Sequence, residues 1–192
     1  MNHNQQISGL SGGTKRYLCR FYEILDEMIR GMNGAELTDS ISHNFIAQMI
    51  PHHRAAIQMS ENLLMYSELA PLRRIAENIV REQTKGIEDM KRALVCCERV
   101  LNTRQDLCRY GKQLDRIKEV MFSQMRSACS DNDINADFMR EMIPHHQGAV
   151  RMSENALKYP ICPELVPILR AIITSQEKGI REMESLLRQI SC

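Results

Sequence analysis

Apolar residues recur every three or four positions along most of the chain, which is the spacing of one face of an α-helix. The segment 45–64 places its apolar side chains on one half of a helix and most of its polar side chains on the other. The segment 72–94 has the same pattern over a greater length. No stretch alternates apolar and polar residues for long enough to indicate a β-strand. The pattern therefore predicts an all-α fold.

An internal repeat organises these predicted helices. Residues 45–94 return as residues 138–187, at an offset of 93, and 22 of the 50 aligned positions are identical. Similarity continues upstream, so two copies, about 14–101 and 107–190, make up nearly all of the chain. We therefore predict a single all-α domain over residues 1–192, with six helices of which four are long.

Turn and capping residues stand between the predicted helices. Residues 31–34 contain two glycines that close a first helix, and residues 39–40 and 131–133 offer N-caps to the second helix of each copy. Pro71 and Pro163 separate the second helix from the third. Short connections make consecutive helices antiparallel, which predicts a four-helix bundle with a pseudo-twofold axis and the first helix of each copy laid across it.

Composition narrows the classes of function. The 25 basic residues balance 24 acidic residues, so the chain lacks the charge excess typical of nucleic-acid binding. It has no apolar run of membrane-spanning length, and its start does not resemble a signal peptide. Seven cysteines without a CxxC spacing favour reduced thiols. We therefore expect a cytoplasmic protein with neither nucleic acid nor membrane as a partner.

The motif Met-Ile-Pro-His-His occurs once in each copy. Met49 lies one helical turn before His52 and His53, so a thioether and an imidazole can approach the same point. Adjacent histidines project about 100° apart, so one of the pair can ligate a metal while the other packs or hydrogen-bonds. Sulfur together with imidazole suits Cu(I), whereas Mg²⁺ and Ca²⁺ prefer oxygen. The equivalent residues of the second copy are Met142, His145 and His146.

Core packing is the competing interpretation of the same residues. Methionine is a common core residue, and a buried imidazole needs hydrogen-bond partners for its ring nitrogens. Gln83 and Gln176 interrupt the apolar face of the third helix of each copy and are candidate partners. Gly86 and Gly179, nearly one turn further on, indicate a close helix approach or room for a bulky group opposite.

The sequence lacks the residue patterns of several other kinds of metal-binding or catalytic site. The paired Glu-x-x-His pattern of di-iron bundles is missing, as are zinc-binding cysteine patterns, phosphate-binding glycine loops and nucleophile elbows. Cys96 and Cys97 are adjacent thiols that could bind a metal, although packing is the favoured interpretation. We therefore expect a protein that is not an enzyme.

At these positions the sequence resembles the bacterial family called domain of unknown function 305, which is placed among ferritin-like bundles. The resemblance is carried by the motif around Met-Ile-Pro-His-His at 45–61 and 138–154, and by Gln-x-x-x-Ile-x-x-Met at 83–90 and 176–183. Some exported members are implicated in copper binding or tolerance, which implies a copper ion here. The implied metal positions are Met49, His52, His53, Met59, Met142, His145, His146 and Met152, with Gln83, Gln176, Met90 and Met183 as supporting residues.

Two hypotheses about function follow. The first is a non-enzymatic helical bundle that binds copper through methionine and histidine, for binding, storage or tolerance. Because neutral imidazole is the ligand, binding should weaken below about pH 6.5. The second is an interaction or scaffold protein whose histidines are structural and whose helical faces bind a partner or a second copy in a homo-oligomer. Loss of metal on histidine substitution would favour the first.

Overall fold

The computed structural model describes residues 9–97 and 100–190. It confirms the all-α prediction, since the described residues form six helices and no strand. The expectation that only four helices are long was wrong, because the shortest has 22 residues. The first helix of each copy is amphipathic over its whole length and buries one face. The helices are α1 (Gly12–Asn33), α2 (Ile41–Leu64), α3 (Ala70–Cys97), α4 (Arg104–Arg126), α5 (Ile134–Ala156) and α6 (Leu165–Ile190).

Capping residues stand at the predicted positions. The Ser40 hydroxyl accepts a hydrogen bond from the His43 backbone N–H at 3.4 Å, at the start of α2. The Asp133 carboxylate accepts two backbone N–H groups at the start of α5. At the end of α1 the Gly34 N–H donates to the Arg30 carbonyl oxygen at 2.9 Å. The predicted boundaries are therefore explained by local hydrogen bonds.

The two copies pack against each other through their second and third helices. Within each copy the second helix packs on the first and on the third. Between the copies α2 packs on α5 and α3 packs on α6, so α2, α3, α6 and α5 form a closed ring around one core. We call these the central four helices. In both copies an asparagine of the second helix holds the first helix: Asn62 donates to the Tyr17 carbonyl oxygen, and Asn155 to that of Tyr110.

Pro51 lies inside α2, which continues through it without a break. A proline at this point cannot donate the backbone hydrogen bond of a regular helix. The neighbouring helix approaches closely there, because a Cβ at Gly31 of α1 would lie 2.9 Å from the Pro51 Cβ. The helix therefore neither ends nor restarts at Pro51.

Two further expectations concern disulfide bonds and membrane-spanning helices. Cys19, Cys108, Cys129 and Cys162 are not disulfide-bonded, as expected. Residues 1–8 and 191–192, on which the signal-peptide argument and the last cysteine fall, lie outside the described residues, as does the side chain of Cys96. Within the described ranges, no helix combines the length and apolar character needed to cross a membrane.

Candidate metal centre

The four motif histidines form one buried layer where α2 meets α5. His52 and His145 stack on each other at the centre, with ring centroids 3.7 Å apart and ring planes tilted by 28°. His53 and His146 lie on either side, 6.1 Å from His52 and 5.9 Å from His145 respectively. All four are at most 2% exposed. We call them the histidine layer, with His52 and His145 as the central pair and His53 and His146 as the outer pair.

Two glycines make room for the outer pair. A Cβ at Gly86 of α3 would lie 3.0 Å from both Cδ2 and Nε2 of His53. A Cβ at Gly179 of α6 would lie 3.0 Å and 3.1 Å from the same atoms of His146. These separations are shorter than ordinary van der Waals contacts, so any larger residue would push the rings away. The prediction that the glycines leave space for a bulky group is confirmed.

Most of the ring nitrogens in the layer lack a hydrogen-bond partner. One exception is Nε2 of His145, which donates to the backbone carbonyl oxygen of His52 at 3.2 Å. That bond puts the His145 proton on Nε2, so its Nδ1 carries a free lone pair. Leaving a buried polar atom unpaired costs about 1–3 kcal/mol, so such a cluster in one layer needs an explanation. Within the layer, the unpartnered buried nitrogens are Nδ1 of His52, His53, His145 and His146, together with Nε2 of His52. Outside the layer, Nδ1 of His43 near the start of α2 is also buried without a partner.

Burial keeps all four rings neutral. It lowers the pKa of His53 to about 3, with repulsion from His145 adding to the effect. It lowers the pKa of His145 to about 4, although the hydrogen bond to the His52 backbone opposes this. The pKa values of His52 and His146 also lie well below 6.5, first through burial and then through the neighbouring imidazoles. Neutral imidazole is the form that binds metal ions, so protons compete for these rings only well below pH 6.5.

The expected glutamine partners do not pair with the histidines. The amide oxygens of Gln83 and Gln176 are buried and make no hydrogen bond within the described residues. Both residues instead line two small clefts between α3 and α6. The first, the His53 cleft, also has His53 and Gly86 in its wall, and the second, the His146 cleft, has His146 and Gly179. The outer pair can thus be approached from solvent, whereas the central pair lines neither cleft.

Helix geometry ranks the six predicted methionines by their distance from the layer. Arg73 of α3 donates to the Leu64 carbonyl oxygen of α2 at 2.8 Å, and Gly86 faces His53 further along, so the two helices run antiparallel. Met49 precedes His53 by one turn and Met90 follows Gly86 by one turn, so both lie about 6 Å along the axis on the same side of the layer. Met142 and Met183 take the equivalent places around His146, and all four are fully buried.

Met59 and Met152 occupy a different level of the core. Met59 follows His53 by six residues, or about 9 Å along the axis, on the side away from Met49. Met152 has the same relation to His146. Both are buried, at 2% and 0% exposure. Met59 and Met152 therefore lie further along the helix axis from the outer histidines than Met49 and Met142 do.

The donor chemistry of the layer fits a soft monovalent ion and not a hard divalent one. Among the residues that the structure describes, no three His, Cys, Asp or Glu side chains converge as a metal-binding group. Imidazole and the thioether sulfurs of the buried methionines are therefore the donors that the core offers near the layer. These donors are soft, whereas Mg²⁺ and Ca²⁺ prefer oxygen ligands and a structural Zn²⁺ site needs four ligands.

A family profile matches both copies of the chain. It is described as a domain of unknown function, DUF305, and it covers residues 24–94 and 110–187. The chain belongs to the DUF305 family. Each matched segment begins inside the first helix of its copy and ends inside the third. A comparison with curated proteins found no match.

Solved structures similar to this DUF305 chain agree with its fold. A DUF305 fragment from Deinococcus radiodurans has a TM-score of 0.57 at 24% identity, covering 78% of this chain and 96% of the fragment. CopM in a silver-bound form obtained by soaking has a TM-score of 0.58 at 30% identity, covering 79% of this chain and 98% of CopM. CopM co-crystallised with silver has a TM-score of 0.57 at 30% identity, covering 80% and 98%.

The two halves of this DUF305 chain differ at a buried acidic group that the sequence analysis did not single out. Glu141 on α5 is 2% exposed, and its Oε2 accepts a hydrogen bond from the Tyr17 hydroxyl of α1 at 2.7 Å. Burial raises its pKa well above 4.5, the Tyr17 bond opposes this, and the nearby Asp137 raises it further. Burial likewise raises the pKa of Asp137 to about 6. In the first copy the equivalent positions hold the amides Gln48 and Asn44. This difference between the aligned copies is the sequence signal that identifies the two acidic residues as unusual.

Proposed function

We propose that this protein is a non-enzymatic copper-binding protein that holds Cu(I) in the histidine layer. The observation that carries the proposal is the layer itself: buried imidazoles, held neutral, with ring nitrogens that no protein group satisfies. On folding, these ring nitrogens lose their hydrogen bonds to water and gain none from the protein, which destabilises the folded state. A bound ligand would offset that loss. A soft cation bound by imidazole and thioether would supply that partner.

The outer pair are the residues we assign as ligands. Each outer ring has an unpartnered Nδ1 and lines a cleft, and each has two methionines one turn away on facing helices. The central pair is engaged in stacking and in the His145 hydrogen bond, which suits a structural role. We therefore propose one site per copy. The proposed ligands are His53, Met49 and Met90 in the first copy, and His146, Met142 and Met183 in the second.

The relatives support the choice of metal class. CopM is 30% identical to this chain and has been seen with silver bound. Ag(I) and Cu(I) are both soft monovalent cations, so a fold that accepts one is chemically suited to the other. We further propose a ferritin-like arrangement of the central four helices and a cytoplasmic location, the latter because the sequence has seven cysteines without a CxxC spacing and four of them form no disulfide.

Cu(I) titration of histidine-labelled protein tests the proposal. The imidazole NMR signals report on the layer directly, so binding of copper to the cysteines does not interfere. We expect Cu(I) under reducing conditions to shift the signals of His53 and His146, each saturating at one ion per copy. Substitution of both by asparagine should abolish saturable binding at the layer. His43→Asn is the matched control, because His43 lies on α2 nine residues before His52, about 13 Å along the axis.

The rival hypothesis predicts a different result. If the histidines serve only the structure of a scaffold protein, Cu(I) leaves the four layer signals in place. In that case the double asparagine variant lowers the thermal stability without altering copper content. Unshifted layer signals in the unsubstituted protein would therefore remove the copper proposal.

A further inference from the structure

The two clefts are equivalent in position but not in size. Both lie between α3 and α6, and each has an outer histidine, a glycine and both buried glutamines in its wall. The volume of the His53 cleft is about 140 Å³, whereas that of the His146 cleft is about 20 Å³. A space of the smaller size holds about one water molecule, and the larger holds several. The pseudo-twofold symmetry of the chain therefore breaks at the route to the histidine layer.

At two pairs of equivalent positions, the residues that border the clefts differ in size. Ala171 borders the His53 cleft, and the residue 93 positions earlier, Asn78, borders the His146 cleft. Asp89 stands beside the first cleft where the longer Glu182 stands beside the second. At both positions the smaller residue borders the larger space.

Charge at the mouth of the clefts favours a cation. Glu82 borders both clefts and makes no ion pair within residues 9–97 and 100–190. Lys85, the basic residue at the His53 cleft, is paired with Asp89 at 2.6 Å, so its charge is offset. Lys178 beside the second cleft is 3.8 Å from Glu182. An unpaired carboxylate at a narrow opening raises the local concentration of positive ions.

We propose that the two copies load unequally: Cu(I) reaches the layer through the His53 cleft, and the site at His146 fills later because its cleft is nearly closed. This inference rests on the proposed copper-binding function and adds to it the route and the order of filling. It makes Ala171 and Asn78 the residues that set access. Neither is one of the proposed ligands, so changing them alters the route while leaving those ligands in place.

The test is a time course of Cu(I) loading, followed by the imidazole NMR signals of the two outer histidines. In the unsubstituted protein the His53 signal should change first. Ala171→Asn should slow the change at His53 by about tenfold, because the route loses most of the room for a hydrated ion. Asn78→Ala should speed the change at His146. Thr174→Asn is the matched control, since Thr174 is exposed on α6 but borders neither cleft.

Carbethoxylation of the imidazoles, mapped by mass spectrometry, measures access without any metal. We expect His53 to react faster than His146, with Ala171→Asn reducing the first rate and Asn78→Ala raising the second. Equal loading and equal modification of the two histidines would overturn the unequal route while leaving copper binding intact. Normal modification rates with no copper-induced shift would overturn the proposed function instead, and the loading order with it.

Discussion

Metal-free protein is expected to lose several kcal/mol of unfolding free energy between pH 7.5 and pH 5. Folding lowers the pKa of all four layer histidines, to about 3 for His53 and about 4 for His145. The unfolded chain therefore binds more protons than the folded chain once the pH falls below about 6.5, and the stability decreases with pH down to the folded values. At pH 5 each histidine contributes a loss of about 2 kcal/mol.

The buried carboxyl groups act in the opposite direction. Folding raises the pKa of Asp137 to about 6 and that of Glu141 above its ordinary value, so the folded state gains protons there as the pH falls. For Asp137 this proton uptake increases the unfolding free energy by about 1 kcal/mol at pH 5. Four histidines outweigh two carboxyl groups, so a net loss remains.

Chemical denaturation at a series of pH values measures this effect. The His53→Asn, His146→Asn double variant should lose about 2–4 kcal/mol less than the unsubstituted protein between pH 7.5 and pH 5. Between pH 7.5 and pH 8.5 the two proteins should show the same pH dependence, because the layer rings are neutral in both states. Identical slopes below pH 6.5 would show that these rings are protonated as easily in the folded chain as in the unfolded one.

Glu141→Gln is expected to stabilise the metal-free protein by about 1–2 kcal/mol at pH 8. The raised pKa of Glu141 means that the folded state resists ionisation, so the carboxyl group costs stability as the pH rises above about 4.5. Glutamine cannot ionise, and its amide oxygen can still accept the Tyr17 hydroxyl. The gain should vanish near pH 4, where the carboxyl group is protonated in both states.

The first copy supplies the mirror experiment. Gln48 occupies the position equivalent to Glu141 and is also 2% exposed. Gln48→Glu should therefore destabilise the protein at pH 8 by a similar amount, and the loss should shrink on acidification. Denaturation midpoints of the two single variants at pH 8 and pH 4 give the comparison. A destabilising Glu141→Gln at both pH values would mean that the carboxyl group contributes through its hydrogen bond and not through its charge.

The helices, their boundaries and the duplication could be predicted from the sequence because each depends on local physics. A helical period is readable within a few turns, and the caps at Ser40 and Asp133 act on backbone groups two or three residues away. The motif histidines were also identifiable, since four imidazoles on apolar helical faces are unusual. The space beside Gly86 could be predicted, because a glycine in a helix interior has a cost that packing must explain.

Tertiary structure alone decided which histidines stack and which line the clefts. The residues of each motif are identical in the two copies, yet α2 and α5 meet so that His52 and His145 stack while His53 and His146 line clefts. The position of Met90 along the helix axis, relative to the histidine layer, follows from the antiparallel register of α3 against α2. The periodicity of a single helix carries no information about that register.

The unequal clefts and the unpartnered ring nitrogens depend in the same way on neighbours that are distant along the chain. Sequence periodicity determines which face of a helix is buried. Only the packing of the central four helices determines what that face meets, and therefore whether a buried imidazole finds a hydrogen bond, a glycine or an opening to solvent.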